Sequence, residues 1–209
     1  LSHSIGGPVK WDPKEEKEGG FKKENLFTGG GLNVSFSNYS MLLGASPVFG
    51  YSINKWLDAG VGLNFSYYTN RHVVYEILDF NGRPTGQYIV SDDKQRQTTL
   101  GPLVFVRVYP VKFLFIHVQG EQNFITQKLI FDNGNPSSKA SISAPSLLLG
   151  AGYASGREGI GDFSYYISLM FDVVRNKNSP YVEETASGNI NVLPIIRAGI
   201  QIPLFQGRS

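Results

Sequence analysis

His117 and Glu121 stand four residues apart in the run Phe115-Ile116-His117-Val118-Gln119-Gly120-Glu121. A histidine and a carboxylate are the partners that general-base catalysis and Ser/His/acid hydrolysis require. The run reads as extended chain, and at ~3.3 Å per residue the two side chains lie ~13 Å apart along one face, too far for a direct dyad. The other histidines are His3, in a charged N-terminal segment, and His72, in a polar connection. There is no G-x-S-x-G elbow, no phosphate-binding loop and no metal-ligand spacing. Asp132-Asn133-Gly134-Asn135 begins like a calcium loop but lacks its closing glutamate, and reads as a turn. Asn33-Val34-Ser35, Asn38-Tyr39-Ser40 and Asn64-Phe65-Ser66 match the glycosylation triplet and are read as chance. Cysteine is absent, which removes disulfides and thiol chemistry. The chain reads as a non-enzyme with no cofactor and no metal.

The elements that carry these residues explain them better. Asp58, Arg107, His117, Glu121, Asp172 and Arg197 lie inside apolar runs, and each alternates with apolar neighbours. In Leu57-Ala59-Val61-Leu63-Phe65-Tyr67 every second residue is apolar, with Asp58, Gly60, Gly62, Asn64 and Ser66 between them. Successive strand side chains point to opposite faces, so one face is apolar and the other polar or small. That polar face is too rich in glycine and too poor in charge for an ordinary wet surface. The pattern predicts an all-β fold: an eight-stranded antiparallel transmembrane up-and-down β-barrel, apolar outward and polar inward.

Composition agrees. With 24 Gly and 13% aromatic residues, the chain carries the small interior and aromatic rims that such barrels need. A net charge of +2 argues against a nucleic-acid partner. The mean hydropathy of -0.14 looks soluble because a barrel spreads its apolar residues over alternate positions.

Residues 1–24 read as a flexible periplasmic tail with Trp11 as its one large apolar group, 25–205 as the barrel, and 206–209 as a C-terminal tail. The predicted strands are 25–36, 41–52, 57–69, 97–109, 113–124, 140–153, 162–174 and 192–205. The connections 53–56, 110–112 and 154–161 are short, whereas 70–96, 125–139 and 175–191 are long and polar. Short turns at one end and long loops at the other place the turns in the periplasm, with Ser37-Asn38-Tyr39-Ser40 as a short connection on the loop side. Inside 70–96, Asn81-Gly82 predicts a hairpin that rises above the membrane. Tyr51, Trp56, Tyr109, Phe113, Tyr153, Phe163 and Phe205 are expected to form one aromatic girdle, and Phe36, Phe65, Tyr67, Phe124 and Phe171 the other.

Eight strands leave an interior that side chains fill. The expected filling is a cluster of Arg197 with Asp172 and Glu121, with His117 and Gln119 nearby and Arg107 lower, toward the periplasmic mouth. A gate, proton site or ligand pocket is the alternative reading of that cluster; a structural plug is preferred.

Several segments, in order, carry a family resemblance. Phe27-Thr28-Gly29-Gly30-Gly31-Leu32, Gly44-Ala45-Ser46-Pro47-Val48-Phe49-Gly50-Tyr51 and Gly60-Val61-Gly62-Leu63 resemble the opening of small outer-membrane barrel proteins of the Bacteroidota type. The His117 run resembles that family's fifth strand. Leu149-Gly150-Ala151-Gly152-Tyr153, Asn178-Ser179-Pro180-Tyr181 and Ile196-Arg197-Ala198-Gly199-Ile200 resemble its later strands and last loop. The resemblance implies an OmpA/OmpX-like barrel, an outer-membrane location reached by export with a cleaved signal peptide, and contact with outer-membrane lipid. It departs from OmpA in having no peptidoglycan-binding domain, and Pro110 and Gln119 are smaller departures. It implies an accessory or structural subunit of a larger outer-membrane complex for secretion, uptake or barrel assembly, with Asn178, Ser179, Pro180 and Tyr181 as loop contacts. The alternatives are a stand-alone surface protein binding ligands through its long loops, an outer-membrane lipid-modifying enzyme, and a soluble lipocalin-like carrier.

Overall fold

The strict alternation of large apolar and small polar residues makes strands and gives each a side that must avoid water. In the computed structural model, residues 20–156, 160, 162–185 and 189–205 are described. The segments 1–19 and 206–209, with His3 and Trp11, lie outside the described residues. A short 3-10 turn, Lys23–Asn25, leads into twelve strands: β1 Leu26–Phe36, β2 Ser40–Asn54, β3 Leu57–Asn70, β4 Val73–Leu78, β5 Pro84–Ser91, β6 Lys94–Val111, β7 Leu114–Ile130, β8 Ser138–Ser155, β9 Ser164–Asp172, β10 Val182–Glu184, β11 Ile190–Val192 and β12 Ile195–Pro203.

Eight of them close into one antiparallel barrel in the order β1-β12-β9-β8-β7-β6-β3-β2. Closure comes from β1 against β12, with Phe27 opposite Pro203 and Val34 opposite Ile196. The remaining strands form two hairpins, β4–β5 and β10–β11.

The barrel is apolar outside and polar inside. Val61, Leu63 and Phe65 are 55%, 52% and 52% exposed, while Asp58 and Asn64, on the opposite parity of the same strand, are fully buried. Similar apolar exposure recurs on β2, β6, β7, β8, β9 and β12. A continuous apolar wall of this kind is stable against hydrocarbon and not against water, so the fold is a transmembrane barrel. All six of the in-strand ionisable residues are buried in the lumen.

The strands at the loop end run longer than the sequence predicts. β6, β7 and β8 hold 18, 17 and 18 residues. Spanning the hydrocarbon takes about 9–11 residues, so these three strands continue well past it. Residues 125–130, read as loop, therefore belong to β7. They are polar enough to look like a loop, yet they pair with β6 and β8 over their length. At the same end β12 starts at Ile195 rather than 192, and β9 stops at Asp172 rather than 174. The hairpin within 70–96 forms as β4–β5, with Gly82 in the left-handed region at φ 73° at its turn.

The aromatic girdles need one correction. Trp56, Phe113, Tyr153, Phe163 and Phe205 are exposed at the turn end, and Phe36, Phe65, Tyr67, Phe124 and Phe171 toward the loop end. Tyr109 is instead buried in the lumen with Phe115, Ala154 and Tyr166. It shares the parity of Arg107 on β6, and that parity points inward.

Candidate functional site

The lumen is filled in layers. Nearest the turn end, Arg107 on β6 faces Asp58 on β3 and His117 on β7 across the strand ladder. Its guanidinium carbon lies 4.9 Å from the Phe105 ring centroid, 5.5 Å from Phe115 and 4.2 Å from Tyr166. A guanidinium is weakly hydrated and planar, so aromatic faces replace part of its water. Nη1 also donates to Gln201 Oε1 at 3.4 Å. The His117 ring packs 5.7 Å from Phe105 and 6.2 Å from Phe115, and neither of its nitrogens has a hydrogen-bond partner among the described residues.

The next layer is built around Arg197 of β12. Nε donates to Asn33 Oδ1 on β1 at 2.6 Å, Nη1 donates to Gln119 Oε1, and Nη2 lies 3.8 Å from Glu121 Oε1. Gln119 in turn donates to Glu121 Oε1. Asn33 Nδ2 donates to Ser46 Oγ and to Asn64 Oδ1, each at 2.9 Å, and Ser46 Oγ donates to Asn64 Oδ1 at 3.0 Å. Five strands thereby share one hydrogen-bonded plug. A guanidinium and a carboxylate this deeply buried require such partners.

The plug is completed from above by a loop. The Tyr181 hydroxyl donates to Glu121 Oε2 at 2.7 Å and accepts from Asn64 Nδ2 at 2.7 Å. Tyr181 itself is fully buried, in an apolar cap with Leu42, Tyr68, Leu148, Met170, Leu193 and Ile195. Ser179 donates to Asp172 Oδ2 at 2.6 Å and shares a 3.0 Å bond with Ser146. Glu183 accepts from Tyr68 OH at 2.9 Å and from Ser37 Oγ at 3.0 Å.

Two expectations are corrected here. Asp172 does not join Arg197. Arg197 stands opposite Ser168 on β9, and Asp172 lies four residues further toward the loops, ~13 Å at ~3.3 Å per residue. The stagger of tilted strands in a closed barrel separates residues whose heights above their turns match. The segment 178–181 does not present an outward contact: Ser179, Pro180 and Tyr181 turn into the lumen and are buried. Arg197, Glu121 and Gln119 do come together, with His117 one layer below beside Arg107.

Sequence reasoning did not place Asn33, Ser46 and Asn64 in the plug, and it read Ser179 and Tyr181 as loop contacts. The first three are legible in retrospect, since they share the inward parity of their strands. Tyr181 had no periodic signal, because a plug residue in a loop is placed by the barrel it enters.

Among the described residues no serine hydrogen-bonds a histidine, and no group of three or more His, Cys, Asp and Glu could hold a metal. Among the described residues the His–acid contact is His72 Nδ1 to Asp92 Oδ1 at 3.3 Å, outside the barrel beside the β4–β5 hairpin.

No protein-family model matches the sequence, and no curated protein matches it. Among solved structures, the chain is similar in shape to Neisserial surface protein A, with a TM-score of 0.41 and 11% identity over 86% of this chain and 96% of that one. It is similar also to Ail, the attachment invasion locus protein of Yersinia pestis. The heparin-analogue complex of Ail gives a TM-score of 0.40 and 9% identity over 84% and 93% of the two chains. The barrel assignment for this chain stands on its own closed strand ladder and its inverted polarity.

Proposed function

We propose that this chain is a non-enzymatic outer-membrane β-barrel that serves as an accessory or structural subunit of a larger outer-membrane complex. The observation that carries this reading is the plug. Arg197, Glu121, Gln119, Asn33 and Asn64 are bonded across the lumen and capped by Tyr181, which supports a filled barrel rather than a pore or a catalytic cleft. What remains for function is its outer wall and its loop end. Short turns at one mouth and strands that overrun the membrane at the other support turns in the periplasm and loops at the cell surface.

The test is a mild-detergent pull-down of the tagged protein from its native outer membrane, read by mass spectrometry. Stoichiometric recovery of a larger membrane protein is expected. Recovery of the barrel alone would defeat the subunit reading.

A second reading, a stand-alone surface protein, draws on the β4–β5 hairpin. Leu78 and Phe80 at its tip are exposed, with Phe80 fully open to solvent. Apolar groups raised on a protruding hairpin suit contact with a partner. Deleting 75–90 should abolish surface adhesion if this reading holds, and leave it unchanged if not.

A further inference from the structure

Above the Tyr181 seal, the loop end opens into a cup of about 170 Å³. Its floor and walls are unusually rich in amides: Asn70 of β3, Gln95 and Gln97 of β6, Gln127 of β7 and Asn178 of the last loop. The arrangement is built around Gln97, which is 4% exposed. Its Oε1 accepts from Gln95 Nε2 at 3.4 Å and from Gln127 Nε2 at 3.1 Å. That leaves the Gln97 NH₂, and the Oε1 atoms of Gln95 and Gln127, without hydrogen-bond partners among the described residues. A primary amide carries two donors and two acceptor lone pairs, so these groups are open to the cup and available to a ligand. Donors and acceptors therefore alternate around one small concavity.

From this geometry we infer that the cup binds a single neutral sugar ring. A hydroxyl group donates and accepts at once, so a polyol matches alternating amide donors and acceptors in a way that a purely anionic or cationic ligand does not. The cup holds both signs of charge, with Lys177, Glu183 and Glu184 in its lining, and Glu183 is already engaged by Tyr68 and Ser37. Val73, Val182 and Pro180 supply aliphatic surface for the C–H faces of a ring. An extended peptide fits less well. It would add to a free strand edge, and the barrel wall offers none, since β6 is paired on both sides at this height, Gln95 with Asn70 and with Leu129. β4 and β10, which also line the cup, each keep a free edge, so a peptide probe is the control. The ligand is a free saccharide or the terminal sugar of a glycan, which share this chemistry. The inference does not depend on the subunit role.

The test is a titration of the intact protein in a zwitterionic detergent, since alkyl-glycoside detergents would themselves present a sugar to the cup. Glucose, galactose, mannose and N-acetylglucosamine, each with its methyl glycoside, are followed by saturation-transfer NMR and calorimetry, with acetyl-trialanine amide as the peptide probe. Saturable binding of at least one sugar is expected, weakened about tenfold by Gln97→Ala and by Asn178→Ala. Tight binding of the methyl glycoside points to a glycan terminus, and binding of the free sugar alone to a soluble saccharide. Asn178→Ala lies in the loop, so it keeps the test valid if Gln97→Ala fails to fold by heat-dependent gel mobility. No saturable binding of any sugar, affinity unchanged in Asn178→Ala, or preference for the peptide probe would overturn the inference.

Discussion

The Tyr181 hydroxyl donates to Glu121 Oε2 at 2.7 Å, so a residue of the last long loop completes a cluster otherwise made of strand residues. The loop is thereby part of the barrel's core. Tyr181→Phe keeps the ring in its apolar cap and removes only the bonds to Glu121 and Asn64. Stability should fall by about 1–3 kcal/mol, the cost of leaving buried partners unsatisfied. Urea unfolding in micelles measures it, and limited proteolysis should show 175–191 cut sooner. An unchanged midpoint together with unchanged protection would contradict the seal.

Arg197 and Glu121 should behave as one unit, and Arg197 and Asp172 as two. Arg197→Leu strands the Glu121 carboxylate and should cost about 3–5 kcal/mol. Glu121→Leu added to it should recover part of that loss. Asp172→Asn should add to Arg197→Leu within about 0.5 kcal/mol, because the two share no partner. A double-mutant cycle with equal coupling for both pairs would show that the lumen is one undivided network.

The glycines separate into two kinds. A Cβ on Gly150 would lie 2.1 Å from Leu169 O and 2.7 Å from Met170 Cα, so Gly150→Ala must push β8 off β9. A Cβ on Gly120 meets only Val104 Cγ2 at 3.7 Å, on the lipid side. Gly150→Ala should lower folding yield and Tm, and Gly120→Ala should leave both near wild type. Equal behaviour in refolding assays would refute the close β8–β9 approach.

Outside the membrane, Asp93 accepts from the Asp132 backbone N–H at 2.8 Å and from Tyr75 OH at 2.8 Å, tying the 131–137 connection to the β4–β5 hairpin. The Asp132 N–H and then the Tyr75 hydroxyl hold the Asp93 carboxyl below the usual carboxylate range. A lowered carboxylate pKa stabilises the latch above its unfolded value of about 3.9 and loses that contribution as pH falls through the folded value. Burial, then the bond to Asp93, pushes the Tyr75 phenol up to about 12. A raised phenol pKa contributes fully below its unfolded value of about 10 and loses its contribution as pH rises through the folded one. The latch should therefore hold from about pH 4 to about pH 10 and loosen beyond both ends. Absorbance titration of Tyr75 and proteolysis of the hairpin at pH 3 and pH 7 check it. Asp93→Asn should abolish the acid-side change.

The alternation of residues in Leu57–Tyr67 and in the Arg107 and His117 runs was enough to set strand, face and barrel. Side-chain parity is a local property, and a charge facing hydrocarbon costs too much for any other arrangement. For that reason Arg107, His117, Glu121 and Arg197 were legible as interior residues before any fold was seen. Which of them touch was legible only in part, since Asp172 was expected beside Arg197 as well as Glu121. Contact between Arg197 and Glu121, and separation of Arg197 from Asp172, follow from the stagger of eight tilted strands, which no single strand encodes. The Gln97–Gln127 pairing likewise exists only once β6 and β7 run past the membrane in register. The inward turn of Ser179, Pro180 and Tyr181 was hidden for the plainest reason. A loop has no period, and its burial is decided by the unsatisfied Glu121, Asn64 and Asp172 waiting below it.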